Sequence, residues 1–214
     1  MGYFITFEGG EGTGKTTIIN YISKYLNDKG YSVVTTREPG GIDIAEQIRN
    51  IILDVKNTKM DYRTEALLYA ASRTQHLAEK VIPALKENKI VLCDRYLDSS
   101  LVYQGIARGL GVDNVLKVNM FATEYMPNIT FFIDVKPDIC FKRLKDNHRE
   151  MDRLDLEKMD FHNMVYEGYK QIAKMYPERI VSIDGERKRE DIMLVCTDER
   201  YSDKAVFQRN RREA

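Results

Sequence analysis

The chain has 214 residues, of which 43% are apolar and 31% charged, and these values fit one α/β domain with a continuous core rather than a disordered chain. Its 33 lysines and arginines balance 33 aspartates and glutamates, which argues against a general nucleic-acid partner. No stretch approaches the roughly 18 uninterrupted apolar residues of a membrane span, and the first residues lack a signal-peptide pattern, so we expect a cytoplasmic protein with no membrane partner.

Five short apolar runs predict strands, and segments with apolar residues at helical spacing separate them. The strands are expected at residues 3–7, 31–37, 89–95, 129–135 and 179–184. Continuous apolar strands that alternate with helices are typical of a parallel sheet covered on both faces. We therefore expect the α/β class, with a five-stranded parallel sheet flanked by helices on both faces.

The helices follow the same alternation. They are expected at residues 15–27, 42–53, 61–85, 112–125, 137–144 and 157–176, with a last helix that begins near Arg189. Pro83 is predicted to kink or break the third helix, because proline has no N–H to donate to the preceding turn. Residues 97–109 are expected to form a loop with a helical piece, and the polar stretch 146–155 to form a mobile flap.

The most informative stretch is GGEGTGKTT, which follows the first strand and opens the first helix. It matches the phosphate-binding loop GxxxxGK[ST], in which backbone N–H groups and a helix N-terminus bind nucleotide phosphates. Lys15 is expected to bridge the β- and γ-phosphates, and the Thr16 hydroxyl to bind Mg²⁺. The predicted ATP-binding residues are Gly9, Gly10, Glu11, Gly12, Thr13, Gly14, Lys15, Thr16 and Thr17.

Charged residues end three of the predicted strands, namely Glu8, Arg37 and the pair Asp94 and Arg95. Ligands of parallel sheets bind at the carboxyl ends of the strands, so we expect these charged groups to gather where substrate should lie. Asp94 is interpreted as the partner of Thr16 at Mg²⁺, directly or through water. A carboxylate that caps the next turn is the alternative.

Arginines near this edge predict a second anion site. Arg37 and Arg95 end strands, and Arg49 and Arg73 lie on helices. A planar guanidinium binds phosphate through two parallel hydrogen bonds, although a solvated surface position is the alternative for each residue. A GTP-binding switch is disfavoured because no NKxD-type segment follows a later strand, and a motor ATPase because the chain is short. These arguments favour a small kinase.

Tyr69 and Arg73 are four residues apart on the long third helix and share a face. An aromatic ring and a guanidinium one turn apart can form a pocket for a nucleobase. Spacing alone favours the other interpretation, in which the tyrosine packs in the core beside a surface arginine.

Five motifs, FEGGEGTGKTT, TREPGG, RTEALLYAASR, DRYLDSSLVYQG and DRLD, occur in this order within about residues 1–190. Together they resemble bacterial thymidylate kinase, of the P-loop nucleoside monophosphate kinase superfamily. The resemblance implies that ATP phosphorylates dTMP to dTDP with Mg²⁺, in the synthesis of dTTP. It also implies a core with a lid, and a homodimer. The sequence shows no repeat, linker or second domain, so we expect a single kinase domain over residues 1–214.

The resemblance further implies roles for individual residues. Arg37 and Arg95 match arginines that hold the dTMP phosphate, and Arg73 matches one that binds a thymine carbonyl. Tyr69 falls where a ring stacks on the base, and Gln104 at a nearby pyrimidine contact. The predicted dTMP-binding set, with Glu11 at the sugar and Tyr103 against its 2′ position, is Glu11, Arg37, Arg49, Tyr69, Arg73, Arg95, Ser100, Tyr103 and Gln104.

The interior of the glycine loop contains no arginine, and in the family branch with such a loop the lid supplies the missing charge. The lid is expected at about residues 143–156, where Arg149 or Arg153 would close onto the phosphates. The predicted catalytic residues are Lys15, Arg95, Arg149 and Arg153. The tail at 196–214 lacks the expected amphipathic pattern and is assigned no function.

The three cysteines form no CxxC pair or Cys/His cluster, which indicates a reducing compartment rather than disulfides. The scattered histidines indicate no metal site of their own. We expect small nucleotides, ATP and dTMP, as the ligands and no nucleic acid. Two other classes stay open: a kinase for another nucleoside monophosphate or a deoxynucleoside, and a regulator that binds ATP without turnover.

Overall fold

The computed structural model describes residues 2–146 and 151–198. Its five strands are all parallel and form one sheet in the order β2-β3-β1-β4-β5. They are β1 (Tyr3–Glu8), β2 (Val33–Arg37), β3 (Ile90–Asp94), β4 (Ile129–Asp134) and β5 (Ile180–Asp184). The predicted five-stranded parallel sheet is confirmed.

Helices cover both faces of this sheet, as expected. They are α1 (Lys15–Asp28), α2 (Asp43–Leu53), α3 (Tyr62–His76), α4 (Ile82–Lys86), α5 (Leu97–Ser100), α6 (Val112–Val118), α7 (Met120–Thr123), α8 (Pro137–Asp146), α9 (Met159–Met175) and α10 (Arg189–Thr197). Within the described residues, none of them has the length and apolarity that crossing a membrane requires.

Strand β1 shows why both faces are buried. Phe4 belongs to one core cluster, whereas Tyr3, Ile5 and Phe7 belong to the other. Successive side chains of a strand point to opposite faces, so the apolar residues of β1 contribute to a core on each side of the sheet. One cluster includes residues of α9, and the other includes residues of α1 and α10.

The predicted helix 61–85 is interrupted by a wide π-helical turn, Leu77–Val81, after which α4 begins at Ile82. Pro83 cannot donate the regular hydrogen bond to the carbonyl four residues earlier, and a wider turn tolerates this loss. The kink or break predicted at Pro83 takes the form of this change of helix type at Leu77–Val81, and the backbone remains helical on both sides of it.

Residues 112–125 form two helices instead of the predicted one, because Asn119 leaves the helical path between α6 and α7. The buried Asn119 side chain accepts a hydrogen bond from Arg73 Nη1 (2.5 Å) and donates one to the Val115 carbonyl (2.9 Å). The predicted loop at 97–109 is also wrong in part, since α5 continues into a second π-helical segment, Leu101–Ala107.

The last helix extends into the predicted tail. Ile192 and Cys196 of α10 are buried, and Thr197 is its last residue, so the first two residues of 196–214 belong to the core domain. Residues 199–214 lie outside the described residues, as do 147–150 of the predicted flap. Cys196 and the other two cysteines are buried free thiols.

The parallel register brings the charged strand ends together. Arg37 at the end of β2 and Phe7 of β1 both lie opposite Asp94 at the end of β3. Glu8 and Arg95 follow at the same carboxyl edge. The expectation that charged groups gather there is confirmed, and the glycine loop leaves β1 at this edge.

A buried ion pair ties α5 to the β4–β5 pair. Arg179 donates to both carboxylate oxygens of Asp98, at 2.6 and 2.8 Å, and to the Thr130 hydroxyl at 2.7 Å. The Asp98 side chain is only 1% exposed. Burial of an unpaired carboxylate is costly, so the arrangement depends on both partners.

We expect Arg179→Met to lower the free energy of unfolding by about 3 kcal/mol, because it leaves the Asp98 charge buried without its partner. Urea denaturation measures the change. The double variant Asp98→Asn with Arg179→Met removes the charge as well and should recover part of the loss. A loss below about 1 kcal/mol for Arg179→Met alone would contradict this account.

Candidate active site

The glycine loop between β1 and α1 has a backbone that only glycine adopts without strain. Gly9, Gly12 and Gly14 have φ angles of 140°, 79° and 96°, in the range that L side chains rarely adopt. A Cβ on Gly12 would also lie 2.7 Å from the carbonyl oxygen of Cys140 in α8. The close approach of α8 therefore requires glycine at this position.

The side chain of Lys15, the first residue of α1, extends over the glycine loop. Its ammonium donates to the carbonyls of Gly9 (3.2 Å) and Gly10 (2.9 Å) and contacts the Thr13 hydroxyl (3.5 Å). Burial lowers the pKa of Lys15, and the nearby Arg95 lowers it further, whereas Asp94, whose carboxylate is 4.0 Å away, opposes the shift. The loop thus holds a buried cation at the helix N-terminus.

Thr16 and Asp94 are brought together although they are far apart in sequence. The Thr16 hydroxyl donates to a carboxylate oxygen of Asp94 at 3.0 Å. Both are oxygen ligands of the hard type that Mg²⁺ prefers, and Mg²⁺ typically takes its remaining ligands from phosphates and water. The two oxygen donors therefore fit an ion that also binds phosphate. Among the described residues no group of three or more metal-ligating His, Cys, Asp or Glu side chains occurs.

Two adjacent clefts open at the carboxyl edge of the sheet. We call the first the glycine-loop cleft; the predicted site residues in its wall are Glu11, Gly12, Gly14, Lys15, Thr16, Thr17, Arg37, Arg49, Asp94 and Arg95. The second, the tyrosine cleft, is lined by the predicted residues Tyr69, Arg73, Ser100, Tyr103 and Gln104. The two clefts share Glu11, Glu38, Arg49 and Arg95.

Arg95 stands where the clefts meet, and its conformation is unusual. Its φ angle is 70°, a left-handed conformation that is uncommon for residues other than glycine and clusters at functional sites. One end of the guanidinium donates to Glu11 at 2.7 Å, and the other donates to the hydroxyls of Ser99 (3.2 Å) and Tyr169 (2.9 Å). The carbon of the guanidinium lies 5.3 Å from the centre of the Tyr103 ring.

Arg37 and Arg49 lie at the mouth of the glycine-loop cleft and are less constrained. Arg37 is 54% exposed and pairs with Glu46 at 2.7 Å, while Arg49 donates to the Pro39 carbonyl at 2.9 Å. The Glu46 carboxylate also accepts the backbone N–H of Gly41 at 2.7 Å. The TREPGG segment and α2 thus place two arginines opposite the glycine loop.

Arg73 is a buried residue at the base of the tyrosine cleft, not a surface arginine. It donates to Glu38 (2.7 Å), Asn119 (2.5 Å), the Tyr96 carbonyl (3.1 Å) and the Ser100 hydroxyl (3.1 Å). These bonds engage four of its five N–H groups. The spacing-based preference for a surface arginine is therefore wrong, because Glu38 makes burial of the cation favourable.

A second buried acid, Glu65, organises the far side of the tyrosine cleft. It accepts hydrogen bonds from Gln104 (3.0 Å) and Arg153 (2.5 Å) and pairs with Arg108 (3.4 Å). Arg153 also donates to the Ile52 carbonyl at 2.7 Å. This placement differs from the prediction that Arg153 closes onto the phosphates, because Glu65 draws it to the acceptor side.

Arg149, the other predicted lid arginine, lies outside the described residues.

Three buried acids of the site were not predicted to support cleft residues, although each lies within a motif quoted above. Glu8, Glu38 and Glu65 are at most 3% exposed, and each accepts hydrogen bonds that orient a cleft residue. Burial raises the pKa of the Glu8 carboxyl to about 7; Asp98 adds to the rise, and Arg95 opposes it. A charged residue at a strand end was the one available hint for Glu8.

Comparison with known proteins agrees with this geometry. The thymidylate kinase family model matches residues 7–194. The chain belongs to the thymidylate kinase family. A thymidylate kinase of Clostridium novyi is 57% identical over 185 residues, which cover 86% of this chain and 90% of the relative. One from Geobacillus thermodenitrificans is 54% identical over 193 residues, with 89% and 86% covered.

The structure also resembles a solved member of the family. The thymidylate kinase of Ehrlichia chaffeensis superposes with a TM-score of 0.75 at 32% identity, covering 91% of this chain and 96% of that one. The predicted family and fold class, a P-loop nucleoside monophosphate kinase fold, are confirmed.

We expect the stability of the protein to depend on Glu8 between about pH 4.5 and 7. The folded-state pKa is raised from 4.5 to about 7, so folding favours the protonated carboxyl, and its contribution is lost as pH rises through this window. Across this window the free energy of unfolding of the wild type should fall by up to roughly 3 kcal/mol relative to that of Glu8→Gln.

Urea denaturation of both proteins at a series of pH values measures this difference. The charged or titratable neighbours Lys15, Arg95, Asp98, Tyr169 and Arg179 are unchanged in the comparison. Parallel stability curves for the two proteins from pH 4.5 to 8 would contradict the assignment.

Proposed function

We propose that this chain transfers the γ-phosphoryl group of ATP to dTMP, giving ADP and dTDP for dTTP synthesis. The observation that carries the proposal is that the glycine-loop cleft and the tyrosine cleft meet at Arg95. A donor in the first cleft and an acceptor in the second would therefore present their phosphates to each other. Family membership supports the choice of nucleotides.

On the donor side, the backbone N–H groups of the glycine loop would bind the ATP phosphates, with the predicted set Gly9 to Thr17 around them. Lys15 would exchange its carbonyl partners, Gly9 and Gly10, for phosphate oxygens. Mg²⁺ bound by Thr16 and Asp94 would neutralise charge on the transferring group. The hydrogen bond between these two residues supports their assignment to one ion.

On the acceptor side, Arg95, Arg37 and Arg49 would hold the dTMP phosphate through their guanidinium groups. Tyr69 would stack on thymine, with Arg73, Ser100 and Gln104 at its polar edge, and Glu11 and Tyr103 at the sugar. Gln104 donates to Glu65, so its amide orientation is fixed before the base arrives.

In the transfer itself, a phosphate oxygen of dTMP forms the bond to the γ-phosphorus, while the bond from that phosphorus to the β-bridging oxygen breaks and ADP leaves. The acceptor phosphate is already ionised, so no side chain has to remove a proton. Lys15 and Arg95 act by neutralising and aligning two anions that repel each other.

The proposal extends to the domain organisation, the oligomeric state and the location of the protein. We propose one kinase domain with a lid at about 143–156. A homodimer is supported by the exposed apolar side chains of Leu67, Met120 and Phe121 on the contacting helices α3 and α7. A cytoplasmic location fits the three buried free thiols, which persist in reducing compartments.

An acceptor panel tests the activity. ADP release is measured with ATP, Mg²⁺ and, in turn, dTMP, dUMP, dCMP, dAMP and thymidine. We expect dTMP to give the highest kcat/KM, and removal of Mg²⁺ to abolish turnover. Equal rates for all acceptors, or a higher rate with another nucleotide or with thymidine, would point to a different kinase. ATP binding without any ADP release would indicate a regulator.

The lid assignment is tested by Arg149→Ala and Arg153→Ala. We expect Arg149→Ala to lower kcat on the order of 10³-fold, as for other arginines that neutralise a transferring phosphoryl group. Arg153→Ala should mainly raise the KM for dTMP, because Arg153 is held by Glu65 beside Gln104. The reverse pattern would assign the catalytic role to Arg153, and near-normal kinetics for both would exclude a lid cation.

A further inference from the structure

Beneath Arg95 lies a hydrogen-bonded group formed by Glu8, Ser99 and Tyr169. One oxygen of the Glu8 carboxyl, Oε1, accepts the backbone N–H groups of Tyr96 (2.8 Å) and Ser99 (3.3 Å). The other, Oε2, accepts the hydroxyls of Ser99 (2.5 Å) and Tyr169 (2.9 Å). Glu8 is 1% exposed, and it ends β1 directly before the glycine loop.

The same two hydroxyls contact Arg95. Its Nη1 lies 3.2 Å from Ser99 Oγ and 2.9 Å from the Tyr169 oxygen. An Nη1 group carries two N–H donors and no acceptor, so each hydroxyl has to offer it a lone pair. A hydroxyl has only one proton. The oxygens of Ser99 and Tyr169 are 2.9 Å apart, but both hydroxyls donate their hydrogen bond to the Glu8 carboxylate, which is the stronger acceptor.

The ionised Glu8 carboxylate therefore sets the direction of the hydrogen bonds in this group. Its Oε2 orients both hydroxyl protons away from Arg95, which leaves their lone pairs facing the guanidinium. Hydrogen bonds of this kind, with an ion at each end, are stronger than neutral ones. The opposite end of the guanidinium is held by Glu11, so the plane of the fork is fixed from two sides.

We propose that Glu8, Ser99 and Tyr169 are positioning residues that orient the Arg95 guanidinium toward the acceptor phosphate. The inference rests on the proposed function, in which Arg95 binds the dTMP phosphate. It adds that a tyrosine from α9, 74 residues away from Arg95, and an acid on β1 determine how well the acceptor phosphate is bound.

The chemistry makes Glu8→Gln informative. Two backbone N–H groups occupy Oε1, so the amide oxygen of glutamine has to stay there and the NH₂ group replaces Oε2. The NH₂ group can only donate, so it takes the lone pairs of the two hydroxyls and turns their protons toward Arg95. Shape is conserved, but the polarity facing the guanidinium is reversed.

Tyr169→Phe removes one hydroxyl and keeps the ring, which stacks on Phe132 with a centroid distance of 5.2 Å. Tyr166→Phe is the matched control. Tyr166 lies one helical turn before Tyr169 on α9, and its hydroxyl interacts with Asp134 rather than with Arg95. Dissociation constants for dTMP and for an ATP analogue that cannot be hydrolysed are measured by calorimetry at pH 8, above the raised pKa of Glu8.

We expect Tyr169→Phe and Glu8→Gln to raise the Kd for dTMP about 10-fold or more, the loss typical of a hydrogen bond to a charged group. The Kd for the ATP analogue should stay within about 2-fold, and Tyr166→Phe should change neither. Melting temperatures identify any variant that fails to fold, in which case Ser99→Ala takes its place.

Repeating Tyr169→Phe in an Arg95→Ala background separates positioning from a general structural effect. If the Tyr169 hydroxyl acts through Arg95, adding Tyr169→Phe to Arg95→Ala should change the Kd for dTMP by less than about 2-fold. A full effect in that background, or no effect of Tyr169→Phe in the wild type, would overturn the inference. Unchanged dTMP binding in Arg95→Ala itself would instead refute the proposed role of Arg95.

Discussion

Two nucleotides that each carry several negative charges repel each other, and a phosphoryl transfer between them requires cations fixed at the point where they meet. In this structure the arginines that line the two clefts are themselves paired with acids: Arg95 with Glu11, Arg73 with Glu38, and Arg37 with Glu46. An acid that pairs with a guanidinium fixes its direction and reduces the cost of burying its charge. The site is therefore an ordered arrangement of alternating charges, in which each acid leaves part of its cation facing the clefts.

The fold supplies this arrangement because the sheet is parallel. All strands deliver their carboxyl ends to one edge, so acids and bases distant in sequence become neighbours without any long loop. Glu8 and Tyr169 are 161 residues apart and hydrogen-bonded, since β1 lies at the centre of the sheet and α9 packs over one face. The glycine loop begins where β1 ends, directly after Glu8. The proposed donor site and the acid that orients Arg95 are therefore both positioned by the end of β1.

The fold class, the five strands, the glycine loop and the arginines at the edge could be predicted, because each depends on local pattern or on a contiguous motif. The supporting roles of Glu38 and Glu65 could not. Glu38 in a loop and Glu65 on a helix resemble ordinary solvated residues in the sequence, and their burial depends on partners 35 to 88 residues away. Arg153 is a similar case. The sequence placed it in the expected lid at about residues 143–156, but the position of its side chain depends on the hydrogen bond to Glu65. The bend at Asn119 likewise depends on a tertiary contact, the hydrogen bond from Arg73.

In the proposed function, donor and acceptor phosphates meet at Arg95 in one continuous site. An analogue in which the 5′ positions of adenosine and thymidine are joined by a chain of five phosphates tests it most directly, through competition binding. The account predicts that this compound displaces both ATP and dTMP and binds more tightly than either, because one molecule fills both clefts. Displacement of only one nucleotide, with no gain in affinity, would contradict it.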